Sequence, residues 1–394
     1  MTTQIVSSLK KLDNYLRYSG FKGYDPYDAL NSPKINKIQN HWIKILFTQF
    51  FVYSPINFRS FFKVKPDVNP KALALFLSAY CKMYKNNLID ADDFTEISSK
   101  LENLLFKTKS SGYSGCCWGF NFDWQDIIRY APKKTPTIVI SSFIGQGFLD
   151  LYDVTRDDKY LRIAESITEF MLKDLHITSL KNGICFSYTP LDSHVVHNAN
   201  CLGAAFLTRV YSINHKETLL DYAKKAFDFS VSCQRDDGSW TYRLNPETGE
   251  ERIQIDFHQG FIIDSLCDYI KYSGTNDEAY MMSLEKAALF YKNNQFQNDG
   301  KAKWRLPRNY PIDIHHLAQG ISSFSKMYQL TKKIEYLNCA NRIAQWTIEK
   351  MQDEKGFFYY QKWPLFTNKI SYMRWSQAWM MMALSLIIEE MKLK

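Results

Sequence analysis

Three stretches of this chain place histidine beside a carboxylate or an amide, each at the head of an apolar run: His197-Asn198 with Asn200, Asp256 with His258, and Asp313 with His315 and His316. Two more runs open with Asp123, Trp124 and Gln125, and with Tyr372, Arg374, Trp375 and Gln377. Carboxylates and imidazoles can exchange protons with a bound molecule, and an arginine beside them can hold an anion. Flat rings next to such groups suit sugars, whose C–H faces stack on aromatics while their hydroxyls need hydrogen-bonding partners.

Two chemistries fit these residues. In a glycoside hydrolase, two of Asp123, Asp256 and Asp313 serve as acid and base. In a uronate lyase or C5-epimerase, Arg374 neutralises the sugar carboxylate while His258 or His315, with Tyr310 or Tyr372, moves the proton. The abundance of carboxylates places the hydrolase marginally first. Substrate contacts are expected from Trp124, Gln125, His197, Asn198, Asn200, Trp240, Tyr310, His316, Trp375 and Gln377. A glycan-binding scaffold without catalysis would keep the aromatics and dispense with the carboxylates. The plainer readings are that an Asp ahead of a helix is an N-cap, that a lone histidine is a core residue, and that the aromatics fill the core.

The elements that carry these residues repeat. A helix ending in tyrosine, a short polar turn and a second helix recur around Tyr84, Tyr152, Tyr211, Tyr272 and Tyr328. The first helix of each pair is apolar nearly all round, over 72–83, 138–151, 199–211, 261–270, 317–328 and 375–388, as expected of helices buried on several faces. The second is amphipathic and belongs outside. After each outer helix comes a glycine followed by an aromatic (Gly115 and Trp118, Gly183 and Phe186, Gly238 and Trp240, Gly300 and Trp304, Gly356 and Phe357), which suggests small hairpins on one rim. Residues 5–18 supply the missing outer helix and close the ring. The predicted fold is therefore all-α, an (α/α)6 toroid with short β-hairpins on one rim. It forms one domain over 1–394, with closing helices and a strap in 1–68 and the hairpin repeats in 69–394. An open α-solenoid is the alternative.

Composition sets outer bounds. The chain has 394 residues, 45% hydrophobic and 15% aromatic, enough for a large core. Its net charge of +8 is spread along the chain, without the basic stripe of a nucleic-acid binder. Its 8 cysteines lack metal spacing and read as reduced thiols; with no signal peptide and no membrane span in sight, a cytoplasmic protein is expected. Neither a metal nor a cofactor is expected: Cys116-Cys117 and His315-His316 are the nearest thing to a zinc set, but adjacent residues point apart and no spacing supports one. Asp90, Asp92 and Asp93 match the DxDD pattern of isoprenoid cyclases, but they sit where an outer helix begins and read as caps.

Taken together, His197-Asn198 with Asn200, the Gln234 to Trp240 run, Asp256-Phe257-His258, Tyr310 to His315, Met351-Gln352 and Tyr372 to Trp379, with the opening Gly23 to Pro33, resemble the VpsJ-like proteins encoded among bacterial exopolysaccharide, capsule and O-antigen genes. The resemblance covers nearly the whole chain. It implies an (α/α)6 fold shared with sugar-active enzymes, a glycan or lipid-linked oligosaccharide as substrate, and association with a polysaccharide assembly complex. It assigns no catalytic residue.

Overall fold

A computed structural model describes residues 2–125 and 130–392. Among these are fourteen α-helices, twelve of which alternate between two concentric layers. The inner layer consists of α4 (Pro70–Lys85), α6 (Ile138–Thr155), α8 (His197–Asn214), α10 (His258–Ser273), α12 (Ile314–Thr331) and α14 (Trp379–Lys392). Outside them lie α5 (Ala91–Thr108), α7 (Asp158–Lys173), α9 (Glu217–Ser232), α11 (Glu278–Phe290), α13 (Ile334–Met351) and α1 (Thr2–Ser19). The ring is closed, because α14 packs on α4 and α1 packs on α13 and α14. Leu9, Leu12 and Leu16 of α1 are completely buried in that seam. This excludes the open solenoid, which would leave the α4 and α14 faces uncovered.

The recurring tyrosines have a structural reason. At the ends of α6, α8 and α12 the chain reverses through Arg156, His215 and Lys332 in the left-handed region, and their N–H groups donate to the carbonyls of Tyr152, Tyr211 and Tyr328. Each reversing side chain lies near its tyrosine ring, Arg156 at 5.8 Å, His215 at 6.1 Å and Lys332 at 5.7 Å. The ring thus shields a turn that has no glycine.

The opposite connections dock each unit on the next. Gly183, Gly238, Gly300 and Gly356 adopt positive φ and run against carbonyls of Lys225, Lys286, Arg342 and Lys11, on α9, α11, α13 and α1 in turn. A Cβ on Gly356 would lie 2.2 Å from the Lys11 oxygen at a φ of +99°, so Gly356→Ala should cost about 1–3 kcal/mol by urea unfolding. The equivalent contacts explain the glycine-aromatic repeat. Gln234 and Gln352 extend it, their amides donating to Gly238 and Gly356 and across to Ser283 of α11 and Ser8 of α1.

Residues 20–69, the strap, contain the short α2 (Pro33–Asn36) and α3 (His41–Tyr53), built on a small apolar cluster of Ala29, Leu30, Ile35, Phe51 and Val64. One buried ion pair and a hydrogen bond from a second bind it to the ring. Arg59 meets Asp28 at 2.7 Å and donates to the Tyr372 hydroxyl at 2.9 Å, while Asp25 holds Arg374 through two bonds of 2.6 and 2.8 Å.

The DxDD segment caps α5, with Asp90 accepting from the Asp93 N–H and Asp93 pairing with Arg17 of α1. Asp90→Ala should therefore lower stability by about 1 kcal/mol in thermal unfolding. Asp92→Asn should leave both stability and any activity unchanged.

Candidate active site

All six inner helices begin at one rim, around a cavity of about 380 Å³. Each of them, or the turn that opens it, contributes to the wall: Lys71 of α4, Val139 of α6, Asn198 of α8, His258 of α10, His315 of α12, and Arg374 and Trp375 in the π-helical turn that leads into α14. The strap adds Tyr27, Val52 and Tyr53 over the mouth. The rim hairpins add Arg243 and Arg252, which face each other across a strand pair, and the loop before α12 adds Trp304 and Arg305.

His258 is held by a buried carboxylate. Its Nδ1 lies 2.6 Å from Asp256 Oδ1, and Asp256 also accepts from the His258 backbone N–H and from Gln254 Nε2. Burial works to raise the Asp256 carboxyl, but the His258 imidazole, its N–H and Arg305 together hold it at about 2. An ionised Asp256 can only accept, so the His258 Nδ1 that faces it carries a proton and Nε2 is the nitrogen left for the cavity. Asp256 thus accepts both from the first N–H of α10 and from the imidazole that this helix carries.

His315 stands against the other side of the floor. It stacks on Phe257 and Trp379 at 4.3 and 4.7 Å, and both ring nitrogens are buried without a hydrogen-bond partner. Burial, reinforced by Lys71 and Arg374, pushes its imidazole well below the ordinary range, so it is neutral. Phe257 also stacks on His258 at 4.2 Å and therefore spaces the two imidazoles.

Lys71 was not anticipated from sequence. Its Nζ sits 4.3 Å from Phe143, 4.9 Å from Trp379 and 5.2 Å from Phe261, in an aromatic cradle at the cavity floor. Burial, aided by the Arg374 guanidinium, lowers its ammonium well below the usual value. The repeat carries the signal: Lys71 stands in the first turn of α4, the place where other inner helices carry His197, His258 and His315.

The other candidates fall into groups. Asp256, His258, His315, Arg374, Trp124, Asn198 and Trp375 line the cavity together. Arg374 does so with Nε and Nη2 committed to Asp25, which leaves it less free to neutralise a sugar carboxylate than its sequence position suggested. Asp313 lies behind Trp375, accepting from its Nε1 at 2.9 Å, from Gln361 at 2.8 Å and from the His315 N–H at 2.9 Å. Asp123 closes a turn by accepting from Tyr130 and the Lys133 N–H, and Gln125 pairs with Tyr130 in that hairpin; neither residue lines the cavity. Tyr372 is enclosed by Arg59 and the Phe51 carbonyl, whereas Tyr310 is exposed on the rim.

Asn200, Trp240 and Gln377 hold the loops instead of the cavity. Asn200 bonds the Phe186 N–H and the Ile184 carbonyl. Gln259 bonds both backbone groups of Trp240, and Gln377 does the same for Phe358. His197 stacks on Phe229 and His316 on Tyr291, both outside the cavity wall.

Asp313 gives a test of burial. Desolvation raises its carboxyl to about 6, against bonds from Gln361 and Trp375 that oppose the rise. A carboxyl raised in the folded state adds stability below its unfolded value, and that contribution is lost as pH climbs through 6. The thermal midpoint of the protein should therefore improve relative to Asp313→Asn as pH falls from 7 to about 4.5.

The closed ring of paired helices and the polar pocket at its inner-helix N-termini define an (α/α)6 toroid, a fold occupied by carbohydrate-active enzymes. The cellobiose 2-epimerase of Bacillus thermoamylovorans superposes with a TM-score of 0.64 at 14% identity, over 84% of this chain and 90% of its own. A family 76 α-mannanase from Bacteroides thetaiotaomicron gives 0.66 at 17% identity, over 82% and 87%. An unsaturated glucuronyl hydrolase specific for heparin gives 0.62 at 14% identity, over 83% and 88%. No protein-family description and no curated protein matches the sequence, so the likeness to VpsJ-like proteins rests on the motifs quoted above.

Proposed function

We propose that the protein is a carbohydrate-active enzyme that moves a proton on a carbon beside the carboxylate of a uronic acid, as an epimerase or a lyase. One observation supports this reading: among the described residues, the cavity wall presents three imidazoles (His194, His258 and His315), a buried lysine and several arginines, but Asp256 is its sole carboxylate. A two-carboxylate hydrolysis needs a partner for Asp256, and Asp313 lies behind Trp375 while Asp123 closes a turn. The hydrolase reading, first on sequence, is therefore placed second.

In the proposed reaction His258 Nε2 takes the proton from the carbon next to the carboxylate. Arg305 and Arg243 stabilise the charge that develops on the carboxylate oxygens. Asp256 stays ionised and stabilises the imidazolium that His258 becomes. In an epimerisation water in the cavity returns a proton to the opposite face of the carbon and His258 releases to solvent the one it took, while His315, neutral and unpartnered, lies across Phe257. In a lyase the C4–O bond breaks instead, a C4–C5 double bond forms, and the leaving oxygen takes up the proton that His258 removed. Trp375, Trp124 and Trp304 offer rings for the sugar faces. The folds of an epimerase and of a glucuronyl hydrolase agree with a sugar in this place, and the likeness to VpsJ-like proteins points to surface polysaccharide as its source.

Incubation with uronate-containing oligosaccharides in deuterated water tests this by NMR. Deuterium at C5, or a new C4–C5 double bond, is expected. Cleavage that gives reducing ends with neither change would return the hydrolase to first place.

A further inference from the structure

The strap carries a surface that the ring does not need. On α3, Trp42, Leu46, Phe50 and Tyr53 recur at helical spacing, and Trp42 and Leu46 are 57% and 66% exposed. Ile43, Ile56 and Phe61 widen the face. Beside it projects the hairpin tip at 363–366, where Leu365 is 97% exposed; Asn368 of that hairpin donates to the Ser54 carbonyl at the end of α3, so the two stand side by side. Soluble proteins rarely leave that much contiguous apolar surface to water.

Its charge says what covers it. Between Asp28 and Asp67 the sequence contains no acidic residue, while Lys34, Lys37, Lys44, Lys63 and Lys65 fall in the same stretch, and Lys362 and Lys369 flank the hairpin tip. Large apolar and aromatic side chains rimmed by lysines suit the boundary between lipid headgroups and acyl chains, where rings and leucines enter and ammonium groups meet phosphates. A protein partner of mixed charge would not ask for an acid-free border. The 13 residues of α3 are too few to cross a bilayer, and no helix among the described residues is long and apolar enough to do so. A helix of this kind lies in the plane of the surface.

We propose that α3 and the 363–366 tip dock on an anionic phospholipid bilayer. Gln49, Val52 and Tyr53 of the same helix line the cavity, so docking brings the mouth of the pocket to the membrane surface, where a lipid-linked glycan would be presented. The inference stands apart from the proton-transfer reading, because it is measured without any sugar and each can fail alone.

Co-sedimentation with vesicles of phosphatidylcholine, with and without phosphatidylglycerol, decides it. The protein should pellet with the anionic vesicles, less so as salt is raised. Leu46→Asp with Leu365→Asp should weaken pelleting by about tenfold or more, with an unchanged melting temperature because both side chains are exposed. Lys37→Glu with Lys63→Glu should remove the preference for phosphatidylglycerol. Three results overturn the proposal: no pelleting with either vesicle, equal pelleting of the leucine variant, or a solution dimer that the leucine variant splits, which would give the face to a second copy of the chain.

Discussion

Replacing His258 with alanine is expected to lower kcat by about 10²–10⁴-fold, the span a positioned acid–base group contributes, with melting temperature little changed. The reasoning is geometric. Asp256 is buried, low in pKa and bonded to Nδ1, so the opposite nitrogen is the one turned to a cavity edged by arginines. Were His258 only a capping or packing residue, its loss would alter unfolding more than turnover. Asp256→Asn separates the roles: Asp256 acts through the imidazole, so its loss should lower kcat while KM stays near its original value. Deuterium exchange into the uronate C5 is the readout, since it follows the proton step even where product release limits the overall rate. If His258→Ala exchanges deuterium at the original rate, the proposed base is wrong.

Arg59→Met should be the most damaging substitution away from the cavity, at about 3–5 kcal/mol in urea unfolding, the usual cost of leaving one partner of a buried ion pair alone. Arg59 bonds Asp28, the Tyr372 hydroxyl and the Asp25 carbonyl, and its guanidinium lies 4.8 Å from the Phe51 ring. Burial already raises the Asp28 carboxyl to about 6 with the guanidinium present, and without it the carboxylate has no compensating charge. The deficit should shrink as pH falls towards 6, because the stranded Asp28 carboxyl, raised further without the guanidinium, takes up its proton first, and should level off below 6, where Asp28 is protonated in both proteins. Adding Asp28→Asn should recover part of the loss, because the stranded charge is then gone. A deficit that is independent of pH and unmoved by the second substitution would mean that Arg59 matters only for its packing.

The toroid was legible because its signals are local and repeated. An apolar run closed by tyrosine, a polar turn, an amphipathic run and a glycine before an aromatic each report a short-range requirement: a turn through Arg156, His215 or Lys332 shielded by a ring, or a backbone pressed against the next outer helix at Gly238 and Gly356. Repetition five times over made the pattern readable without knowing a single contact. The same symmetry identified the rim on which the polar residues gather, and even that α1 completes the outer layer.

What the sequence determined by itself is therefore the ring, its polarity, and a first set of polar and aromatic side chains at one mouth. Which of these side chains reach the cavity was decided by tertiary structure. Asp256 and Asp313 look alike in sequence, each two residues before a histidine, yet one meets the cavity and the other is sealed by Trp375. Arg374 looked available until the strap brought Asp25 to it across more than three hundred residues. Lys71 looked like a helix residue until α14 closed on α4 and put Trp379 beside its ammonium. Local pattern fixes the direction a helix gives its first turn, but solvent access and charge depend on what arrives from distant parts of the chain, and no spacing along the sequence records that.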